Sequence, residues 1–215
     1  MDTFKHGGYD MAIDNGYCTL AELKAVLRIT DSVDDNLLER RIEEASRVID
    51  DHCNRFFWKM APVGQGNSNW KRHFITTDDS VVFVNDIAET TGLVIKIDVN
   101  GDNTHSKTLT ASEYQLEPLN ALEGKYPITR IRATTPGLFP LTQAPAPIEI
   151  TARWGWPDIP YPVRSACILL AGRLVKRGDS LLGVAGFGDL GAITVRAIDP
   201  DVERMLRPFR VMVVA

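Results

Sequence analysis

The apolar residues of this chain change their spacing twice, which rules out a uniform helical or uniform strand architecture. Near the front, Leu38, Ile42, Ala45, Ile49, Cys53 and Phe56 recur at intervals of three or four, the period of one helix face. From about Pro62 to Pro160 the pattern shifts to short, β-branched segments bounded by turn residues. Val81 to Val84, Leu93 to Val99, Ile128 to Arg132 and Ile148 to Arg153 read as strands. After Pro162 the helical period returns in Val163, Ala166, Cys167, Leu170 and Leu174. The expectation is an α+β chain with an antiparallel β module, residues 62–159, inserted into a helical body formed by residues 19–61 and 160–208. Residues 1–18, rich in Gly and Asp, read as a flexible arm, and residues 209–215 as an extended C-terminal tail.

Local signals sharpen these limits. Thr19-Leu20-Ala21-Glu22 is a capping box that starts a short helix with Leu23, Val26 and Leu27 on one face. Asp34 and Asp35 favour the positive end of the next helix. Asn100-Gly101 predicts a hairpin turn between the strand from Leu93 and the Thr108-Leu109 region. Pro162 suits the first helical position, where its missing N–H costs nothing. Asp199-Pro200 caps a brief helix through Leu206, which Pro208 stops. The tail Phe209-Arg210-Val211-Met212-Val213-Val214-Ala215 is apolar and β-prone. It either completes a sheet of its own fold or joins another chain.

Gly183 to Gly191 is studded with glycine, and Gly186-Phe187-Gly188-Asp189-Leu190-Gly191 has the letters of a dinucleotide-binding loop. The order of elements is wrong for that function. A phosphate-binding loop follows a strand and opens a helix, whereas here a helix precedes and Ile193, Val195 and Ala197 alternate like a strand afterwards. The acidic ribose partner expected about 20 residues on would fall at Val211. Two readings remain, a plain helix-to-strand connection and a loop that orders against a partner.

The net charge is −4 over 215 residues, which argues against a dedicated nucleic-acid binder. Residues 1–58 carry −5, residues 59–160 carry −2 and residues 161–215 carry +3. Such asymmetry serves either solubility or contact between copies. Three cysteines, Cys18, Cys53 and Cys167, at unrelated spacings fit free thiols in a reducing compartment. No apolar run reaches the roughly 18 residues of a membrane span, and the opening residues lack the pattern of a signal peptide.

No catalytic constellation emerges. His6, His52, His73 and His105 lie in separate segments without a ligand-pair spacing, so no metal or other cofactor is expected. Asp98-Val99-Asn100-Gly101-Asp102-Asn103-Thr104 resembles the start of a calcium loop, but its sixth position is Asn103 and its twelfth Leu109. Glycine and glutamate belong there, and a hairpin turn explains the same letters. Phe56-Phe57-Trp58 and Trp154-Gly155-Trp156-Pro157 read as core aromatics, with a sugar-binding face as the alternative.

Residues Tyr17 to Ile29, the acidic turn after them and the helix from Asn36 to Phe56 resemble the front of the head–tail connector (adaptor) proteins of long-tailed double-stranded DNA bacteriophages. Trp154-Gly155-Trp156-Pro157, Arg177-Gly178-Asp179-Ser180, the glycine loop and Asp199-Pro200-Asp201-Val202 are similar to that family's closing segment. The middle matches only through Tyr114-Gln115-Leu116-Glu117-Pro118 and the hairpin. The resemblance implies a non-enzymatic virion protein, assembled in the host bacterial cytoplasm into a ring, a dodecamer in the family, beneath the portal at the capsid vertex. Its implied partners are other copies, the portal, the next head-completion or tail protein, and double-stranded DNA passing without sequence-specific binding. Expected subunit or portal contacts are Gly183, Gly186, Phe187, Gly188, Phe209, Arg210, Val211, Met212, Val213 and Val214. The rival expectation is a carbohydrate- or receptor-binding β module, resting on the strands and tryptophans; a hydrolase has no residue in its support.

Overall fold

In the computed structural model, which describes residues 15–65, 70–141, 146–179 and 199–211, Thr19 and Glu22 cap each other. The Thr19 hydroxyl accepts the Glu22 N–H at 3.2 Å, and Glu22 Oε2 accepts the Thr19 N–H at 2.7 Å. This satisfies two N–H groups that have no partner inside a helix and starts α1 (Leu20–Leu27). Leu23 is buried, but Val26, expected on the same face, is 60% exposed. In so short a helix only the stripe through Leu23 meets the core. Next, α2 (Asp35–Cys53) buries Leu38, Ile42, Ala45, Ser46, Ile49 and Cys53. Phe56 is not part of this stripe, because the helix ends at Asn54, whose φ of 52° is left-handed.

The chain forms two compact units, one from Met1–Phe56 with Ile159–Ala215 and one from Phe57–Asp158. In the first, α3 (Tyr161–Asp179) packs against α1 and α2. Its Val163, Ala166, Cys167, Leu170 and Ala171 are buried, on the face that their spacing specifies. The short α4 (Pro200–Leu206) adds Val202 and Leu206 to this core and runs into a 3₁₀ turn, Arg207–Phe209. The α-helix thus ends at Leu206 as expected, and Pro208 sits in the 3₁₀ turn that follows. Helix α3 starts one residue early, at Tyr161, which still leaves Pro162 in the first turn where no N–H is needed. The arm expected over residues 1–18 does not reach its last residues, since Tyr17 and Cys18 are buried.

The second unit is a six-stranded antiparallel sheet. Its strands are β1 (Lys71–Phe74), β2 (Val81–Ile97), β3 (Lys107–Thr108), β4 (Tyr114–Glu117), β5 (Ile128–Ala133) and β6 (Ile148–Trp154), in the order β1-β6-β2-β5-β4, with β3 also paired to β2. Along β6, Ile148, Ile150, Ala152 and Trp154 are buried and Glu149, Thr151 and Arg153 less so, the alternation of a one-sided strand. Two expected strands, from Val81 and from Leu93, are one continuous strand. Register shifts between Phe83 and Ile87, and again between Ile87 and Val94, absorb the intervening polar residues. Gly92 adopts φ +76° within it, and a Cβ there would stand 3.0 Å from Val63 Cβ. Strands β1 and β4 were not expected; both are short and too polar to show a clean alternation.

The hairpin expected at Asn100-Gly101 forms, with Lys96 opposite Thr108, but through a longer loop than two residues. Asp98 is buried and organises that loop. Its Oδ1 accepts the N–H groups of Asn100 and Gly101, and its Oδ2 that of Asn103. Burial alone would raise this carboxyl, yet these backbone donors hold it below its ordinary range. Both oxygens are thus committed to the turn, as the hairpin reading requires.

Candidate assembly interface

Helix α3 ends at Asp179 and the described chain resumes at Asp199, so the helical unit fixes where the glycine segment departs and returns. Gly183, Gly186, Phe187 and Gly188, and the strand expected around Ile193 to Ala197, lie outside the described residues. At the return point Asp199 uses both carboxylate oxygens. Oδ1 accepts the Asp201 N–H at 2.9 Å as the α4 cap, and Oδ2 takes Arg173 Nη1 of α3 at 3.0 Å.

Of the expected tail contacts, Phe209, Arg210 and Val211 are described, and Met212, Val213 and Val214 are not. Phe209 closes the 3₁₀ turn and is half-buried; extended backbone begins at Arg210. Val211 is held by the end of α2. Its N–H donates to the Cys53 carbonyl at 2.9 Å, and its carbonyl accepts Asn54 Nδ2 at 3.0 Å. The Cys53 carbonyl, near the C-terminus of α2, is among those without a following helical turn to serve. Arg210 reaches Glu203 at 3.5 Å, and Glu203 Oε2 lies 2.9 Å from His52 Nε2. The tail therefore leaves from a fixed anchor on α2.

Charge complementarity between the acidic front and basic back is partly spent inside the chain. Arg164 of α3 meets Glu22 of α1 at 3.2 Å, and the capping N–H of Thr19 with Arg164 holds the Glu22 carboxyl below its ordinary range. Lys24 joins α1 to the start of α2 through Asp35 at 2.5 Å. Ahead of α1, the Tyr17 hydroxyl donates to Asp50 Oδ1 and the Tyr17 N–H to Ser46 Oγ at 3.0 Å. Cys18 and Cys167, far apart in sequence, stand with their sulfurs 3.5 Å apart. That contact and burial push the Cys18 thiol above its ordinary range, the character of an unreactive core thiol.

The most exposed large apolar residues among those described in this unit carry no signal in the sequence. Val33, in the turn between α1 and α2, is 86% exposed, and Tyr161 at the start of α3 is 83% exposed. Val33 lies within the acidic turn and Tyr161 precedes a proline, so neither breaks a periodic pattern. In the sheet unit none of the four tryptophans is exposed. The Trp154 indole donates to the Trp70 carbonyl at 2.7 Å, and the Trp156 indole to Asp86 Oδ2 at 3.0 Å, beside Phe57.

Residues 17–90 match the family described as "Phage gp6-like head-tail connector protein". That stretch holds α1, α2, β1 and the first part of β2. The closing segment from Trp154 to Val202 lies beyond it. No curated protein matches the chain. Among solved structures, a chain of the "Neck of empty GTA particle computed with C6 symmetry" is similar, with 16% identity and a TM-score of 0.51 over 95% of this chain and 94% of that one. The chain thus carries the sequence pattern of phage gp6-like head-tail connector proteins over residues 17–90, and the fold of a neck-particle chain over nearly all of its length.

Proposed function

We propose that this protein is a non-enzymatic structural component of a phage virion that joins head to tail, acting as one subunit of a ring beneath the portal. The observation that carries the reading is the family match across residues 17–90, the stretch that includes the reciprocal Thr19–Glu22 cap and the buried stripe of α2. The similar fold comes from a neck computed with C6 symmetry, and subunits related by rotation close into rings when one surface meets a different one on the next copy. A dodecamer is compatible with such an axis. The ring would lie at the head–tail interface after assembly in the bacterial cytoplasm. It would extend the DNA channel, and the net charge of −4 would limit the counterion release that makes DNA stick.

In this reading the glycine segment (Gly183, Gly186, Phe187, Gly188) and the tail (Phe209 to Val214) make subunit or portal contacts. The Arg173–Asp199 pair and the Val211 anchor support it by aiming both from defined points of the helical unit. The carbohydrate-binding alternative loses its motivation, because its tryptophans are packed and hydrogen-bonded rather than displayed.

Mixing the purified chain with the portal of the same virion tests the reading by light-scattering chromatography and negative-stain imaging. Rings stacked on the portal are expected. A chain that stays monomeric and ignores both the portal and the next neck protein would overturn it. Removing residues 209–215 should leave the monomer folded and abolish portal binding, and normal assembly by the shortened protein would take the tail out of the interface.

A further inference from the structure

His73, His105 and Glu149 come from β1, the β2–β3 loop and β6, yet one potential ligand atom from each lies within 4.8 Å of the others. Their convergence follows from the sheet. His73 is the direct ladder partner of Glu149, so both side chains leave the same face, and the loop after Asp98 carries His105 to them. His73 Nε2 is 3.6 Å from Glu149 Oε2. The two imidazoles lie 5.4 Å apart between centroids, tilted by 44°.

We propose that these three residues form a zinc-binding site that clips the β2–β3 loop to the edge of the sheet. Two imidazoles and one carboxylate are a familiar zinc donor set, leaving one position for water. Around a tetrahedral ion with bonds of about 2.0–2.1 Å the donors stand roughly 3.3 Å apart. The His73–Glu149 separation is already close to that, and rotation about side-chain bonds of the half-exposed residues covers the remainder. The second imidazole is oriented from behind. His105 Nε2 lies 2.8 Å from the Ala146 carbonyl, and donation there leaves Nδ1 as the unprotonated nitrogen available to a metal. One cation touches the carboxylate and a second stands beside it in the ladder. Lys71 Nζ is 3.5 Å from Glu149 Oε1, and Lys96 is the ladder partner of Glu149 on β2. Lys71 is exposed, held by a single contact of a kind that contributes little, so the ion displaces it. The role is structural: β1 is an edge strand of four residues, and a metal bridging it, β6 and the loop would tie down the border of the sheet.

The test is titration of the metal-stripped full chain with zinc chloride, read by calorimetry and thermal melting. One ion per chain and a rise in melting temperature are expected. His73→Ala and His105→Ala should each weaken binding about tenfold or more, Lys71→Ala should keep or tighten it, and His6→Ala and His52→Ala should leave it unchanged. Cobalt in place of zinc should show no thiolate charge-transfer band, which separates this site from the three cysteines. Should a variant fail to fold, imidazole resonances of the wild-type protein decide the matter, since zinc must move those of His73 and His105. Absence of saturable binding, or zinc effects on other histidines alone, would leave an ordinary ion-pair cluster and overturn the proposal.

Discussion

Arg173 Nη1 of α3 lies 3.0 Å from Asp199 Oδ2, so one helix holds the residue that caps the next. Replacing Asp199 by Ala should cost about 1–2 kcal/mol, the cap contributing about 1 and the half-exposed pair less than that. Asp199→Asn keeps a capping oxygen and should lose only about 0.5 kcal/mol. Urea unfolding separates them, and equal losses in both variants would assign the effect to the ion pair instead.

Asp50 should give the helical unit a distinct pH dependence. Burial lifts its carboxyl to about 6, against the downward pull of the Tyr17 hydroxyl and the Arg47 guanidinium. The unfolded value is about 3.9, so the folded state holds the proton more tightly. Its stabilising contribution is complete below about pH 4 and is lost as the pH climbs through about 6. Asp50→Asn should flatten the stability curve across that window, as followed by denaturant midpoints at stepped pH. An unchanged slope in the variant would reject the assignment.

The Val211 anchor predicts a sharp difference between two truncations. Removing residues 212–215 keeps both hydrogen bonds to the end of α2, whereas removing 209–215 deletes them. At about 1 kcal/mol each, the second truncation should lose roughly 2 kcal/mol while remaining folded. Asn54→Ala alone should lose about half of this, measured by denaturant unfolding of the intact chain.

Gly92→Ala should destabilise the sheet unit by at least about 1–2 kcal/mol, the cost of a left-handed conformation for a residue with a Cβ. The new methyl would also press on Val63. Thermal melting followed by the near-ultraviolet signal of the packed tryptophans reads this, and an unaltered transition would mean that the bulge relaxes freely.

Helices α2 and α3 were legible from long periodic stripes, α1 and α4 from explicit caps: Thr19 with Glu22, and Asp199 before Pro200, both do what their letters suggest. Strand β6 was legible from its alternation, and β5 from its β-branched residues, although Ile128 and Ile131 stand three apart. What escaped depended on partners distant in sequence. Nothing near Lys71 to Phe74 marks a strand until Ile148 to Thr151 is laid beside it, and Gly92 looks like a turn until register shifts keep β2 whole. Tyr17 reads as part of a loose arm until Ser46 and Asp50 of α2, which bind it, are laid beside it. The candidate interface was legible only as composition, glycine in one place and β-prone apolar residues in another; its anchors at Arg173, Asn54 and Cys53 are visible only in three dimensions. His73 and His105 read as isolated histidines, and Glu149 carries no signal at all, because spacing along the chain cannot reveal a ladder partner.

The sheet unit is one uninterrupted stretch of polypeptide, whereas the helical unit is assembled from both flanks of it. During translation the sheet has all its strands once Trp154 has left the ribosome, and domains generally fold as units as they emerge. Helices α1 and α2 must wait longer, with Leu38, Ile42 and Ile49 uncovered until α3 is synthesised. A product terminated before α3 would leave that apolar stripe bare, available to chaperones and proteases and lacking the scaffold from which both proposed contact segments depart.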